Sequence, residues 1–411
     1  MENVYDIRDR DKLLYILPIN YSSYTLTEEL ASSVAVAVNL YYEDTVERYF
    51  EYLSRVCSDF AVYIISPKQS ILDKAVVRFE GNCNIKIIKK ENRGRDVSAL
   101  LVAFRGIALQ YKYICFLHDK KAKHDSLEED IEIWIKNLWD NTIKTQKYVC
   151  NVLQILEQSP GIGLLVPPEL LGKNVSSWYG DVWRDDFDNT VQLCKELDLQ
   201  CDIQKNKMPI TLGTVFWAKT ACLEKLLIKP WTYEDFHEEP LPDSRTISHA
   251  IERILGYVAQ DAGYKTGTIL TVSYAEWSLL FIQKEIRKMH HILREEMGIQ
   301  TFHQIDCLEE QESRIKDYFT KYEKVYLYGA GVYGKGLLKR IRQWGLLPAG
   351  FLVGNGKRNE PCIDGLKVYE LGEISVTDNS GIIIAVNYNL QYEIEEDLKA
   401  VGFSDFIQGY I

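Results

Sequence analysis

A chain of 411 residues exceeds what one hydrophobic core organises, so two domains are expected. Hydrophobic content of 46% and charged content of 26% are ordinary for a globular protein, and a net charge of -11 excludes a domain-wide basic surface for nucleic acid. Nine cysteines without CxxC spacing, several inside apolar runs, read as reduced core thiols and exclude a disulfide framework.

The N-terminus is charged from its start, and no apolar run reaches the roughly 18–20 residues of a spanning helix. The chain therefore reads as cytoplasmic, with attachment at the inner face of the membrane left open. Residues 1–33 form an N-terminal extension expected to pack on the domain that follows. From residue 34, strands and helices alternate. "VAVAVNLYY" is a buried strand, and "EDTVERYFEYLSRV" is an amphipathic helix with Val46, Tyr49, Phe50, Leu53 and Val56 on its apolar side. "FAVYIIS", "NIKIIKK", "YICFL", "GIGLLVPP" and "TVFWA" read as further strands. Strands separated by helices imply βαβ units and an α/β fold with a mostly parallel sheet, spanning 34–284. A charged helical connector, 285–321, leads to a smaller Rossmann-like α/β domain at 322–411.

Within the first pattern, polar clusters stand at the ends of apolar runs. "ENRGRD" follows the third strand and precedes an apolar helix. Asp96 there is either an N-cap or part of a site, while Asn92 and Arg95 suit contacts to a nucleotide. "YICFLHDKK" empties into His118, Asp119, Lys120 and Lys121. Adjacent ammonium groups repel a cation, so these lysines are expected to neutralise a diphosphate directly; a divalent cation (Mg or Mn) on Asp119 is the disfavoured alternative.

Downstream, Gly213 and Thr214 enter the strand carrying Trp217, and "SSWYGDVW" places Trp178 and Trp183 in a loop-like context. Each of these tryptophans is either a sugar platform or core. The loop "TYEDFHEE" offers Asp235 and Glu238, and the helix from about Thr246 carries His249, Glu252 and Arg253. A deprotonated carboxylate here suits a general base; the alternative is a set of ion pairs. In "VYLYGAGVYGKG", Gly329, Gly331 and Gly334 fit GxGxxG between a strand and a helix. Asn355 stands where an acid would bind ribose, which argues against nicotinamide chemistry.

The ordered motifs "ENRGRDVSALL", "FLHDKKAKH", "GTVFWAKTACLEKLL" and "TISHAIERILGYVAQDAGY" make residues 34–275 resemble the rhamnan synthesis protein F family. That resemblance implies a GT-A-like, nucleotide-sugar-binding glycosyltransferase of bacterial cell-surface polysaccharide assembly. It would move a deoxysugar, typically rhamnose, from a dTDP- or UDP-linked donor to a lipid-linked or polymeric glycan. Arg95 and Asp96 match the family's Gly-Arg-Asp motif, and His249, Glu252 and Arg253 its His-Ala-Ile-Glu-Arg motif. His118-Asp119-Lys120-Lys121 departs from the usual His-Thr-Lys-Lys.

In inverting GT-A enzymes the base commonly precedes a Gly-aromatic pair by about eleven residues, and Gly263-Tyr264 stand so placed after Glu252. The implied roles are Glu252 as base, with Glu238 or Asp235 as runner-up. Asn39, Tyr41, Asn92, Arg95, Asp96, His118, Asp119, Lys120 and Lys121 hold the donor. Trp178, Trp183, Gly213, Thr214, Trp217 and Arg253 shape the sugar and acceptor pocket. Two rival readings stay open: a non-catalytic scaffold of a polysaccharide assembly complex, and an NAD-dependent nucleotide-sugar-modifying enzyme built on the C-terminal domain. Association with a membrane or transporter complex, and a homodimer, are also left open.

Overall fold

The chain divides into two α/β units, residues 1–279 and 280–411. The computed structural model describes residues 12–121, 128–169, 183–297, 299, 304–305, 307–376 and 379–410.

The first unit is built on eight strands: β1 Lys12–Leu17, β2 Val34–Asn39, β3 Ala61–Ser66, β4 Ile85–Lys89, β5 Tyr113–His118, β6 Ile162–Val166, β7 Phe216–Lys219 and β8 Lys265–Thr271. Their order is β1-β8-β6-β7-β5-β2-β3-β4. Seven strands run the same way, and β7 alone is reversed, pairing antiparallel with both β5 and β6. β2 and β5 are buried along their whole length, which explains why they read as continuous apolar runs without alternation.

Each face of this sheet carries its own core. Val34, Val36 and Val38 point to helices Val46–Leu53, Glu128–Ile143 and Gln146–Gln158. Ala35 and Ala37 point to the opposite layer, where the Arg95–Ala108 segment, helix Phe187–Glu196 and helix Ile247–Asp261 pack. Alternating Val and Ala along β2 thus lets helices approach closely on one side. The edge strand β1 lies inside the stretch expected to be an extension and pairs in parallel with β8.

The consequence for function is geometric. The C-terminal ends of β2, β3, β4 and β5 share one edge of the sheet, and because β7 is reversed its N-terminal end, preceded by Thr214, lies at that same edge. Open α/β sheets present their ligand crevices there.

The second unit has its own sheet: β9 Lys324–Tyr328, β10 Gly350–Val353, β11 Cys362–Ile363, β12 Leu366–Glu370, β13 Ser380–Ile384 and β14 Phe406–Gln408, in the order β11-β12-β10-β9-β13-β14. All pairings are parallel except β11 with β12, and the chain reverses direction of strand addition between β9 and β13. Two further cores flank this sheet. Among the described residues no helix is long and apolar enough to cross a membrane.

Candidate active site

Four titratable side chains act on one another at the strand-end edge: Asp96, His118, Lys120 and Glu252. His118 ends β5 directly opposite Asn39 at the end of β2. Its Nδ1 lies 3.0 Å from the Asp119 carbonyl oxygen, which only accepts, so Nδ1 carries the proton. Nε2 is left facing Asp96, 3.9 Å from Oδ2. The His118 carbonyl accepts from the Trp139 indole at 3.1 Å.

Asp96 is not the N-cap. Gly94, at φ 69°, occupies that position, and the Asp96 carboxylate reaches across to accept the Thr214 hydroxyl. Burial pushes the Asp96 pKa up, but His118, the Thr214 hydroxyl and Lys120 together hold it below the usual carboxylate value. Glu252 is moved the other way. Burial and the neighbouring Asp96 charge raise its pKa, against the pull of Lys120, Arg253 and His118. Its carboxylate takes no hydrogen bond from the described residues, while its backbone carbonyl is fixed by Gly213 N–H at 3.2 Å and the Thr211 hydroxyl at 3.3 Å. A desolvated carboxylate with free lone pairs, beside an ionised one, is the arrangement that separates proton affinities for acid–base work.

Lys120 holds the positive charge of the cluster. Burial lowers its pKa, and Glu252 and Asp96 raise it back. Its ammonium stands 3.6 Å from the Trp134 ring centroid, and its backbone is pinned by the Tyr49 hydroxyl at 3.2 Å. Lys121 lies apart: it is half exposed and bonded to Asp44.

Asp119 has a definite structural task. Oδ2 accepts the N–H groups of Tyr41 and Tyr42, at 2.7 and 2.8 Å, and so ties the loop after β2 to the end of β5. Burial pushes its pKa up to about 6 despite those bonds. Among the described residues no group of three or more His, Cys, Asp or Glu side chains could hold a metal ion. Asn39 is buried beside this loop with its Oδ1 lacking a hydrogen-bond partner, an acceptor available to a ligand N–H or O–H.

Other expected residues are placed elsewhere. Trp217 is fully buried in the core, its indole bonded to the Thr142 carbonyl at 3.0 Å, and it is not a platform. Trp183 is likewise core, bonded to the Lys207 carbonyl at 2.6 Å and edge-on to Phe187. Trp178 lies outside the described residues. Arg253 points into the fold, bound to Asp186 at 2.9 Å and to the His249 carbonyl at 2.8 Å. His249 Nδ1 sits 2.7 Å from the Thr246 hydroxyl that caps its helix. Asp235 closes a capping box with Thr232, and Glu238 is 83% exposed opposite Arg93. Neither runner-up base therefore joins the cluster.

Asn92 is exposed, and Arg95, at φ 47°, pairs with Glu239 at 3.2 Å. The neighbouring Arg93 donates to the Phe236 carbonyl at 2.6 Å, so the "NRGRD" loop clasps the 234–239 segment. Lys90 was not singled out by its sequence context. It is buried under that loop, donating to the Glu91 and Arg93 carbonyls at 2.6 and 3.2 Å, and burial lowers its pKa to about 8. Trp134 and Tyr49 also escape sequence reading, because only the fold brings them to Lys120.

In the second unit the GxGxxG turn is formed. Gly329 (φ 119°) passes so close to β13 that a Cβ would lie 2.5 Å from the Ala385 carbonyl oxygen. A Cβ on Gly334 would lie 1.8 Å from the Gly329 carbonyl oxygen, whereas Gly331 faces open space. Asn355 accepts from Gly372 N–H at 2.8 Å, joining two loops.

Comparison with known proteins agrees with the motif order. Two proteins from strains of Xanthomonas campestris pv. campestris, both called uncharacterized protein WxcX, are 22% identical over 244 residues. The match covers 59% of this chain but 34% of theirs, so the chain spans about a third of the length of these relatives. The family described as rhamnan synthesis protein F matches residues 1–264, a stretch that contains Asn39, Asp96, His118, Lys120 and Glu252. With well over half of its length so matched, the chain belongs to the rhamnan synthesis protein F family and thereby to polysaccharide synthesis.

Proposed function

We propose that residues 1–279 form a glycosyltransferase that moves a deoxysugar, rhamnose by family resemblance, from a dTDP- or UDP-linked donor to a growing lipid-linked or polymeric glycan at the cytoplasmic side of the membrane. The observation that carries the reading is Glu252: a desolvated carboxylate with raised pKa, unbonded among the described residues, set beside Lys120 and an ionised Asp96 at the ligand edge of the sheet. The reversed strand next to β5 brings Thr214 to the edge where β2, β3, β4 and β5 end, which supports a ligand site there.

The reaction is a single displacement at the anomeric carbon. Glu252 accepts the proton of an acceptor hydroxyl as its oxygen attacks, and the bond to the donor diphosphate breaks on the opposite face. Lys120 and the imidazole of His118 stand at the strand end to stabilise the departing diphosphate. Asp96 and Thr214 keep His118 oriented. The loop after β2, held by Asp119, and the orphan acceptor of Asn39 hold the nucleoside. Lys121 then contributes at most long-range charge, since Asp44 engages it.

The test is Glu252→Gln assayed with a panel of nucleotide sugars and a glycan acceptor, with and without chelator. Transfer is expected to fall by about 10²–10⁴-fold, while the donor still raises the melting temperature. Full transfer by the variant would place the base elsewhere. Release of no nucleoside diphosphate by the wild-type chain with any donor would favour a scaffold, and loss of activity on chelation would put a cation in place of Lys120.

A further inference from the structure

Among the described residues, helix Val272–Met297 carries an apolar stripe that is largely exposed. Leu279 is 59% exposed, Met289 55% and Ile286 36%, with Ile282 exposed between them. Leu279, Ile282, Ile286, Met289 and Leu293 are spaced three and four residues apart alternately, and Val272 and Ala275 continue the spacing toward the helix start. This is a heptad repeat with its two apolar positions filled through three successive heptads. A 3.5-residue repeat keeps facing a second helix along its length, whereas a surface helix packed on a globular core follows 3.6 residues and a broader face.

We propose that this stripe pairs with the same stripe on a second copy of the chain, in parallel and in register, to form a two-stranded coiled coil. Charge favours a second copy over other occupants. The helix contains four Lys/Arg and four Glu, so it is neutral within a chain of net charge -11. Two copies can approach along it without the repulsion their remaining surfaces exert, and an anionic lipid surface gains nothing from it. The flanks agree with the parallel register. Across the axis Ser278 faces Gln283 and Glu285 faces His290, so no like charges oppose each other, and Ile292 extends the apolar seam. The pairing is isologous and closes as a two-fold dimer.

Sedimentation velocity of the full chain at tens of micromolar tests the pairing, with two single variants on the same helix. Ile286→Glu puts a charge at a seam position and is expected to halve the mass to that of one chain. Leu280→Glu, on the adjacent face and 66% exposed, is expected to leave the mass at two chains. Leu280 is 66% exposed and Ile286 36%, so the melting temperature of each variant is read beside its mass to show that the chain still folds. A wild-type chain that sediments as one copy overturns the proposal, as does a wild-type monomer that binds anionic vesicles through this helix. Equal dissociation by both variants overturns it too, since that reports general stickiness and not a heptad seam.

Discussion

Glu252 and Asp96 are two carboxylates at one edge, and their surroundings push their proton affinities apart, which gives each a separable signature in pH. The proposed base role requires Glu252 to be deprotonated, so kcat/KM should fall on the acid side through a pKa above the ordinary glutamate value of 4.5, and Asp96→Asn should move that limb downward by removing a neighbouring negative charge. An unmoved acid limb would show that a different group titrates. Stability runs opposite to activity. The folded-state pKa of Glu252 is raised, so its contribution is most favourable below the unfolded value and is lost as pH rises through the folded one. Glu252→Gln should therefore melt higher than wild type at pH 8, with the difference closing toward pH 4; a lower melting temperature at both would mean the carboxylate makes a bond that holds the fold. Asp119 behaves differently, since its value lies in the Tyr41 and Tyr42 amides it accepts. Asp119→Ala strands two part-buried N–H groups, at up to about 1 kcal/mol each, and should lower both thermal stability and donor affinity. Asp119→Asn keeps an acceptor oxygen there and should restore most of both, an outcome that a metal-ligand role would not produce.

The "NRGRD" loop shows what a motif specifies and what it leaves to the fold. Gly94 sits at φ 69°, and a Cβ there would lie 2.6 Å from the Phe236 ring, so the glycine serves both a left-handed turn and the seating of an aromatic side chain from a distant segment. Gly94→Ala should cost about 1–3 kcal/mol in strain alone, with overpacking added, and should lower transfer by displacing Asp96; unchanged melting and activity would mean the 234–239 segment adapts freely. The first of these two roles is readable from "RGRD", and the second is not, because Phe236 is over 140 residues away in sequence. The same division runs through the unit. β2 and β5 were legible because strands buried on both faces are written as apolar runs. The reversal of β7 was not, since "TVFWA" has the same pattern in either direction. β1 and β8 were hidden by exposed leucine and isoleucine in one and by threonines in the other; Gly267 in β8 makes sense only once Tyr15 is seen 2.9 Å from where its Cβ would be. Within the candidate site, His118 and Lys120 are legible as the polar end of an apolar strand, and Glu252 by spacing within a family motif. Trp183 and Trp217 were not separable from sugar platforms, because the carbonyls that satisfy their indoles come from other elements.

At the scale of the molecule, each unit closes its own hydrophobic cores around its own sheet. Damage to one should then be felt mainly in one. Gly334 provides the means to ask. Its Cα faces the Gly329 carbonyl so closely that a methyl group would sit 1.8 Å from the oxygen, a backbone atom held by the turn between β9 and helix Val332–Gln343. Neither side of that contact is a flexible side chain, so the turn must open or the helix must move off the sheet, taking Leu337, Leu338 and Ile341 from their core. Gly334→Ala should accordingly destabilise residues 280–411 by several kcal/mol, in the range of severe core overpacking. Calorimetry of the full chain should show one transition shifted down and another unmoved, while Glu252-dependent transfer measured below the lower transition keeps its wild-type kcat/KM. A single transition that moves as a whole would show that the two sheets unfold together, and a loss of transfer with residues 280–411 still folded would show that the glycine-rich turn takes part in the reaction.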